Sequence, residues 1–237
     1  MLQNKRVVII GGSSGIGLAA AKLILTQGAE VIIASRSSEK LEKAKAELGG
    51  KVISYAVDIS NEVQVKAFFE TVGRIDHLVV TAAETSGGAF LTSDSVADHK
   101  MFENKFWGQY YAVKYGAPLM SHGGSITLFS GVVAYKAMIG SAALSAINAA
   151  VATLGRTLAL ELAPIRVNVI SPGIIDTPSR SKMPEAARKQ FYSDIAGKLP
   201  LKRVGNPEDV AKGIVYLLDN DFVTGTVLHV DGGHTLI

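Results

Sequence analysis

Seven short runs of apolar, mostly β-branched residues recur along the chain, separated by segments in which apolar residues repeat at helical spacing. Runs such as VVII and VIIA are apolar on both faces, which is typical of strands that are covered on both sides. Their alternation with helices predicts an α/β fold with a doubly wound, Rossmann-type parallel sheet of about seven strands and helices on both faces. The predicted strands cover residues 7–10, 31–34, 52–57, 77–81, 125–130, 166–171 and 227–230.

Two later segments have distinct patterns. The stretch from about 141 to 161 is rich in Ala and Leu and predicts a long helix that ends before Pro164, because proline disfavours helix at the residue before it. From Thr177 to Leu199 the pattern becomes polar and charged, with prolines around the amphipathic stretch EAARKQFYSDIAG. We expect residues 177–199 to form a movable lid within one domain that spans residues 1–237.

Composition narrows the class of protein. The 237 residues suit one α/β domain, and the net charge of +3 comes from basic and acidic residues that are spread along the chain, which argues against a nucleic-acid partner. The absence of cysteine excludes disulfides and thiolate catalysis and fits a reducing cytosol. The first apolar run is far shorter than the roughly 20 residues that span a bilayer, and no charged leader precedes it. We therefore expect a cytoplasmic protein that does not bind membranes.

A glycine-rich turn, GGSSGIG, follows the first predicted strand and leads directly into an apolar helix that ends at Gly28. Gly11 permits a tight turn, Gly15 lets the backbone approach a pyrophosphate, and Gly17 allows close helix packing. The alternative is a turn that only connects a strand to a helix. The spacing favours a dinucleotide phosphate site, for which the candidate residues are Gly11, Ser13, Ser14, Gly15, Ile16 and Gly17.

The end of the second predicted strand indicates which nicotinamide cofactor binds. An acidic residue there would accept a hydrogen bond from a 2′-hydroxyl and repel a 2′-phosphate, whereas this chain has neutral Ser35 followed by Arg36. Ser13, Ser37 and Lys40 could add further donors. The alternative is that Arg36 is only a solvated loop residue. We predict NADP(H) rather than NAD(H).

Several separated motifs resemble those of the short-chain dehydrogenase/reductase family, in the right order over nearly the whole chain. The glycine turn resembles TGxxxGIG, with Gly11 in place of the threonine, and SPGIIDT matches PGxxxT, whose loop backbone and Thr177 would hold the nicotinamide carboxamide. The segments RVGNPEDVAKGIVYLL and TGTVLHVDGG resemble the closing helix and strand. The resemblance implies further cofactor-binding residues, which are Asp58, Ile59, Thr81, Ala82, Ala83, Asn148, Pro172, Gly173, Ile174 and Thr177.

The resemblance also implies a catalytic apparatus from which this chain departs. The family's tyrosine, which exchanges a proton with the substrate oxygen, and the lysine four residues later fall on Leu144 and Asn148. The family's serine falls on Gly131, next to Ser130, and Asn104 matches an asparagine that supports a water relay. Asn148 could still bind ribose hydroxyls, but it has no charge, and Leu144 has no exchangeable proton.

Three residues could replace the missing proton donor. Ser130 is the nearest hydroxyl, although it could equally be a packed strand residue, because adjacent strand residues point to opposite faces. Tyr135, beside Lys136, could reach the site from a loop or be a partly buried surface residue, and Glu84 could be an acid, a substrate anchor or a solvated carboxylate. The isolated histidines have no ligand spacing, so we expect no metal; they are His99, His122 and His234.

Two functions fit these observations. The first is an NADP(H)-dependent oxidoreductase with an unconventional proton donor, which acts on a small carbonyl, an alcohol or an activated double bond. The second is a catalytically silent NADP(H)-binding sensor or scaffold, suggested by the joint loss of the serine, tyrosine and lysine. Because family members commonly associate through two long helices, the resemblance also implies a homo-oligomer, a dimer or tetramer, with contacts in about 96–120 and 141–162.

Overall fold

The computed structural model describes residues 2–50, 52–82, 87–181 and 183–237. Seven parallel strands form one sheet in the order β3-β2-β1-β4-β5-β6-β7. They are β1 (Arg6–Ile10), β2 (Glu30–Ser35), β3 (Val52–Ala56), β4 (Ile75–Val80), β5 (Met120–Phe129), β6 (Arg166–Pro172) and β7 (Val227–Val230). The predicted doubly wound sheet is confirmed, and the strand order reverses between β1 and β4, where ligands of such sheets bind.

Helices cover both faces of this sheet. Those of the described chain are α1 (Gly15–Leu25), α2 (Ser38–Glu47), α3 (Glu62–Val72), α4 (Ser95–Phe102), α5 (Gly108–Gly116), α6 (Ala142–Glu161), α7 (Glu185–Lys198) and α8 (Pro207–Asp219). A π-helical turn, Glu103–Trp107, joins α4 to α5. The segment expected to be one helix over about 96–120 is helical from Ser95 to Leu119 and contains this turn, while α6 matches its predicted bounds within one residue.

Two apolar clusters form the core, one on each face of the sheet. Val7 and Ile9 of β1 point into the cluster with α1, α2 and α8, whereas Val8 and Ile10 point into the cluster with α3, α5 and α6. This alternation follows from the opposite directions of successive side chains in a strand. Burial on both faces therefore explains why the strands are continuous apolar runs.

Helix α6 is long and apolar enough to cross a membrane, judged by length and composition alone. It packs against the sheet through buried residues that include Val151 and Ala159. A Cβ at Gly155 would overlap a methyl group of Val169, so the glycine lets the helix approach β6 closely. Since the core helix of a soluble protein passes the same test, these features are weak evidence for a membrane span.

The end of β5 depends on a side chain from α5. The register of β5 with β4 ends where Thr127 lies opposite Val79, so the backbone of Phe129 extends past its neighbour on that side. The side chain of Gln109 makes the hydrogen bonds that a longer β4 would make with Phe129. Its Oε1 accepts from Phe129 N at 2.7 Å, and its Nε2 donates to Phe129 O at 3.0 Å and to Lys105 O at 2.7 Å. This buried amide satisfies backbone groups that would otherwise lack partners and fixes the π-helical turn to the end of β5.

Replacing Gln109 with leucine should destabilise the fold. The Gln109→Leu variant would leave the N–H and C=O of Phe129 unpaired in the interior, and we expect the free energy of unfolding to fall by about 2–4 kcal/mol in urea titrations. The control is Gln190→Leu on the exposed surface of α7, which should change the free energy by less than about 0.5 kcal/mol. Equal effects of the two substitutions would contradict this role for Gln109.

Candidate cofactor and active site

The glycine turn between β1 and α1 is tightly packed. Gly11 and Gly15 have φ angles of 94° and 52°, in the left-handed region that favours glycine. A Cβ at Gly11 would lie 2.5 Å from Thr81 Oγ1, and a Cβ at Gly17 would overlap the carbonyl oxygen of Gly11. Gly11 and Gly17 leave no room for a Cβ, and the turn therefore brings β1, α1 and the end of β4 into direct contact.

The N-terminus of α1 is suited to bind an anion. Its N-cap residue, Ser14, is extended, and within the described chain the Ser14 side chain caps none of the helix N–H groups. The first turn of α1 contains no acidic residue. The first N–H groups of a helix lack partners within it and carry partial positive charge. Ser13, Ser14 and Ile16 are half-buried around this end of the helix.

The end of β2 lies next to the glycine turn, because Gly11 N donates to Ala34 O at 2.7 Å. Ser35 follows at the strand tip, and its hydroxyl is buried without a partner among the described residues. The side chain of Arg36 is exposed. Ser37 caps α2 by accepting from Lys40 N at 3.3 Å. The predicted cofactor-selecting residues are therefore brought together with the turn.

The end of β4 also adjoins the turn. Ile10 O accepts from the backbone N atoms of Thr81 at 2.8 Å and Ala82 at 3.2 Å. Ala83 and Glu84, two further sequence candidates, lie outside the described residues.

The candidate adenine-binding pair follows β3. Asp58 Oδ1 accepts from the backbone N of Ser60 at 3.0 Å and from its Oγ at 2.7 Å, so this carboxylate is held by its own turn. Ile59 is buried, and a Cβ at Gly108 would lie 2.9 Å from its side chain. Ile59 thus packs against the start of α5, and Asp58 is the half-buried member of the pair.

The loop after β6 packs against the glycine turn. A Cβ at Gly15 would lie 3.5 Å from Thr177 Cβ, which is ordinary van der Waals contact. The hydroxyls of Thr177 and Ser179 share a hydrogen bond of 2.7 Å. Thr177 and the N-terminus of α1, which are far apart in sequence, therefore lie side by side at the carboxyl ends of the strands. Open α/β sheets bind their ligands in the crevice at this end, and we call this region the cleft. This arrangement fits a dinucleotide. The remaining predicted residues of the loop, Pro172, Gly173 and Ile174, lie at and just beyond the end of β6.

A buried polar group closes the end of β5. Ser130 donates through its backbone N to Ile170 O at 2.9 Å and through Oγ to Asn148 O at 2.8 Å. Asn148 is buried, and its Oδ1 has no partner among the described residues. A Cβ at Gly131 would lie 2.8 Å from Asn148 Nδ2. Because the φ of Gly131 is 172°, which any residue can adopt, the Asn148 amide alone accounts for the glycine.

Lys105 is the residue of this group that the sequence reasoning missed. Its side chain is 5% exposed, and Nζ donates to Ser130 O at 3.0 Å. Burial lowers the pKa of Lys105 to about 8. The neighbouring candidate Asn104 is also buried, but its Nδ2 donates to Lys100 O at 2.8 Å, back to the preceding helical turn. The sequence signal that could have identified Lys105 is its place within the aromatic stretch FENKFWG.

Tyr135 lies in the loop between β5 and α6. It is 39% exposed, and its ring packs edge-to-face against His229 with a centroid separation of 4.6 Å. Burial raises the pKa of its phenol. The described contacts of Tyr135 connect it to β7 and do not include Ser130 or Asn148.

Leu144 is half-buried on the first turn of α6 and lines a small cavity. The cavity has a volume of about 250 Å³ and lies between α4, α6 and residues 87–93. Phe90 and Ala143 contribute apolar walls, and Asp98 is the charged residue of its lining. A mainly apolar pocket thus adjoins the position where the resemblance implies a tyrosine.

The isolated histidines do not gather into a site. His99 and His122 are exposed, whereas His234 is buried, which lowers its pKa. In the part of the chain that the structure describes, no cluster of three or more His, Asp or Glu side chains could hold a metal ion.

This chain is similar to known proteins over nearly its whole length. Residues 11–235 match the family model described as enoyl-(acyl carrier protein) reductase. A structure described as a short chain dehydrogenase/reductase family protein superposes with a TM-score of 0.90 at 30% identity, covering 100% of this chain and 99% of that one. The chain belongs to the short-chain dehydrogenase/reductase family.

Named members of this family are similar over their full length. The 3-oxoacyl-[acyl-carrier-protein] reductase of Thermotoga maritima is 35% identical over 98% of both chains, and carbonyl reductase family member 4 of Danio rerio is 32% identical over 99% of both. A small-chain dehydrogenase solved in complex with NADPH has a TM-score of 0.89 and 37% identity, covering 99% of this chain and 100% of that one. These similarities make this chain an oxidoreductase of the short-chain type.

Adding a methyl group at position 131 should destabilise the protein through Asn148. The Gly131→Ala variant places Cβ against the buried amide, and we expect a loss of about 1–3 kcal/mol in the free energy of unfolding, as is usual for overpacked sites. In the Asn148→Ala background the obstacle is gone, so a double-mutant cycle should give a coupling of at least about 1 kcal/mol.

Gly197→Ala is the control for this cycle, because a Cβ there has nothing within 4 Å and alanine favours helix. Gly131→Ala costing the same with and without Asn148 would contradict the interpretation.

Proposed function

We propose that this protein is an NADP(H)-dependent oxidoreductase that interconverts a small carbonyl compound and its alcohol, with a proton donor other than residue 144. The observation that carries the proposal is the contact of Thr177 with Gly15 beside the uncapped N-terminus of α1. The NADPH complex of a similar chain supports the choice of cofactor. Leu144 and Asn148, at the positions of the family's tyrosine and lysine, make this an atypical member.

The residues of the cleft would hold the cofactor in three places. The backbone N–H groups at Ser14–Ile16 bind the pyrophosphate, Arg36 binds the 2′-phosphate, and Thr177 with the loop after β6 binds the nicotinamide carboxamide. Asn148, whose Oδ1 has no partner among the described residues, would bind a ribose hydroxyl. When bound, NADPH supplies the hydride that reduces the carbonyl carbon.

The substrate oxygen must also gain a proton. The hydroxyl of Ser130 and the amide of Asn104 each donate to a backbone carbonyl, whereas the described contacts of the Tyr135 hydroxyl include no such bond. We therefore assign proton donation to Tyr135, directly or through a water molecule, and a supporting role to Ser130 and Asn104. The small cavity beside Leu144 supports a small substrate.

One observation favours the alternative, a catalytically silent NADP(H)-binding sensor or scaffold. Leu144 lines an apolar cavity, and the hydroxyl of Ser130 is already used in packing. A protein of this kind would bind the cofactor without turning it over.

We also propose that copies of this chain associate. Large apolar side chains are exposed on the α4–α5 segment and at the end of α6; they are Val96, Trp107, Tyr110 and Leu160. Sedimentation velocity tests this, and a lone species of 25.0 kDa would count against it. Cytoplasmic location, and the lid role of residues 177–199, in which α7 has no buried residue, stay predictions.

Replacing Arg36 should change the cofactor preference. We expect Arg36→Gln to weaken NADPH binding by about 10–100-fold, since hydrogen bonds to a charged group are worth about 1.5–3 kcal/mol, and to leave NADH binding nearly unchanged. Isothermal titration calorimetry measures both dissociation constants. The control is Arg74→Gln, which lies just before β4, at the amino-terminal end of the strands and away from the glycine turn. A parallel loss of NADH affinity would argue that Arg36 only supports the fold.

The reaction itself is tested by NADPH consumption with a panel of aldehydes, ketones, diketones and enones. We expect turnover of at least one compound, and a loss of about 10²–10⁴-fold in kcat for Tyr135→Phe with unchanged NADPH affinity, the usual contribution of an acid catalyst. Tyr110→Phe on the surface of α5 is the matched control. Tight NADPH binding without turnover of any compound would favour the silent alternative.

A further inference from the structure

Lys105 is a buried cation to which the proposed function assigns no role. The only described atom that accepts a hydrogen bond from its Nζ is Ser130 O, at 3.0 Å. None of the ion pairs formed between described residues includes it. A buried ammonium without a carboxylate partner is costly to a fold, and such groups are concentrated at functional sites.

The position of Lys105 connects it to the cleft. Lys105 Nζ donates to the carbonyl oxygen of Ser130, Ser130 Oγ donates to Asn148 O, and the Asn148 amide packs against Gly131. Lys105 therefore lies directly beneath the residues that end β5, at the edge of the sheet where open α/β folds bind ligands. Gln109 fixes its backbone by donating to Lys105 O at 2.7 Å.

We propose that Lys105 is a positioning residue which, from below Ser130, supplies positive charge to the part of the cleft where the reaction takes place. Asn148 contributes only a neutral amide there. The inference rests on the proposed function, because it concerns the site at which the nicotinamide ring would lie. Lys105 acts through the field at this site and through the Ser130 backbone, without touching the substrate.

The charge has a defined chemical consequence. Hydride transfer to a carbonyl carbon breaks a C–H bond of the reduced ring and leaves the oxidised ring cationic, while the carbonyl oxygen takes the electron pair of its π bond and then a proton from the acid. A nearby ammonium stabilises the negative charge on that oxygen. It also disfavours the cationic ring, so it should make the site bind NADPH more tightly than NADP⁺.

The effect should depend on pH. Burial lowers the pKa of Lys105 to about 8, so the ammonium is charged below that pH and loses its charge above it. On its own helical segment Lys100 and Glu103 are exposed, while β5 and α6 present Ser130, Gly131 and Asn148, which do not titrate; Glu84 lies outside the described residues. The preference for NADPH should therefore be full below pH 8 and decline as the pH rises through it.

The test compares dissociation constants of NADPH and NADP⁺ by calorimetry between about pH 6.5 and 9.5. Both forms carry the same 2′-phosphate, whose pKa near 6 cancels in the ratio. We expect the wild-type protein to prefer NADPH by about tenfold at low pH, as for unit charges about 10 Å apart at an effective dielectric constant near 20. Lys105→Met should reduce the ratio and remove its pH dependence.

Lys105→Arg should keep the preference and extend it above pH 9.5, because arginine stays protonated. If Lys105→Met does not fold, this variant still decides the question. Lys100→Met, on the exposed surface of the same segment, is the control and should leave the ratio unchanged.

A ratio that keeps its size and pH dependence in Lys105→Met, or that still falls through pH 8 in Lys105→Arg, would overturn the inference while leaving the proposed function intact. Failure of the wild-type protein to bind either form of the cofactor would instead remove the proposed function, and the inference with it.

Discussion

Close backbone contact at the end of β1 is the constraint on which the rest of the structure depends. Gly11 and Gly17 leave no room for a Cβ between the start of α1 and the end of β4. Because these segments meet without side chains, the N–H groups of α1 open directly into the cleft, and Thr177 can approach Gly15 from the other side. The shape of the cleft thus depends more on the absence of side chains at these glycines than on any side chain that lines it.

The opposite side of the cleft is organised by polar side chains that satisfy the backbone. β5 extends past β4, and Gln109 completes its hydrogen bonding while holding the π-helical turn. That turn directs Lys105 into the interior, where it reaches Ser130. π-helical turns inside helices are rare and are often found at functional sites, since the extra residue redirects the side chains that follow. Gly131 and Asn148 then share one small volume, so neither position can change independently of the other.

Local patterns predicted all seven strands because each contains an apolar run, and the predicted limits of every strand except β5 lie within two residues of the observed ones. The first five residues of β5, Met120–Gly124, were missed because SHGG is polar and glycine-rich, and tertiary pairing overrides such weak β-propensity. Lys105 was missed because lysine is almost never fully buried, so composition favours Asn104 as the polar residue of the site. The contact of Tyr135 with His229 joins residues far apart in sequence, which no local pattern can reveal.

Burying Lys105 has a thermodynamic sign that bears on its role. Its pKa is about 8 in the folded chain against an ordinary value of 10.5, so below pH 8 both folded and unfolded chains carry the proton and the folded state bears the full penalty. Between these values the unfolded chain binds more protons, and stability rises with pH. A shift of this size corresponds to roughly 3 kcal/mol, a large part of the 5–15 kcal/mol typical of domains. Near neutral pH Lys105 is charged, and the folded state then bears the full cost of burying it. This charged state is also the one whose field can act on a reacting oxygen.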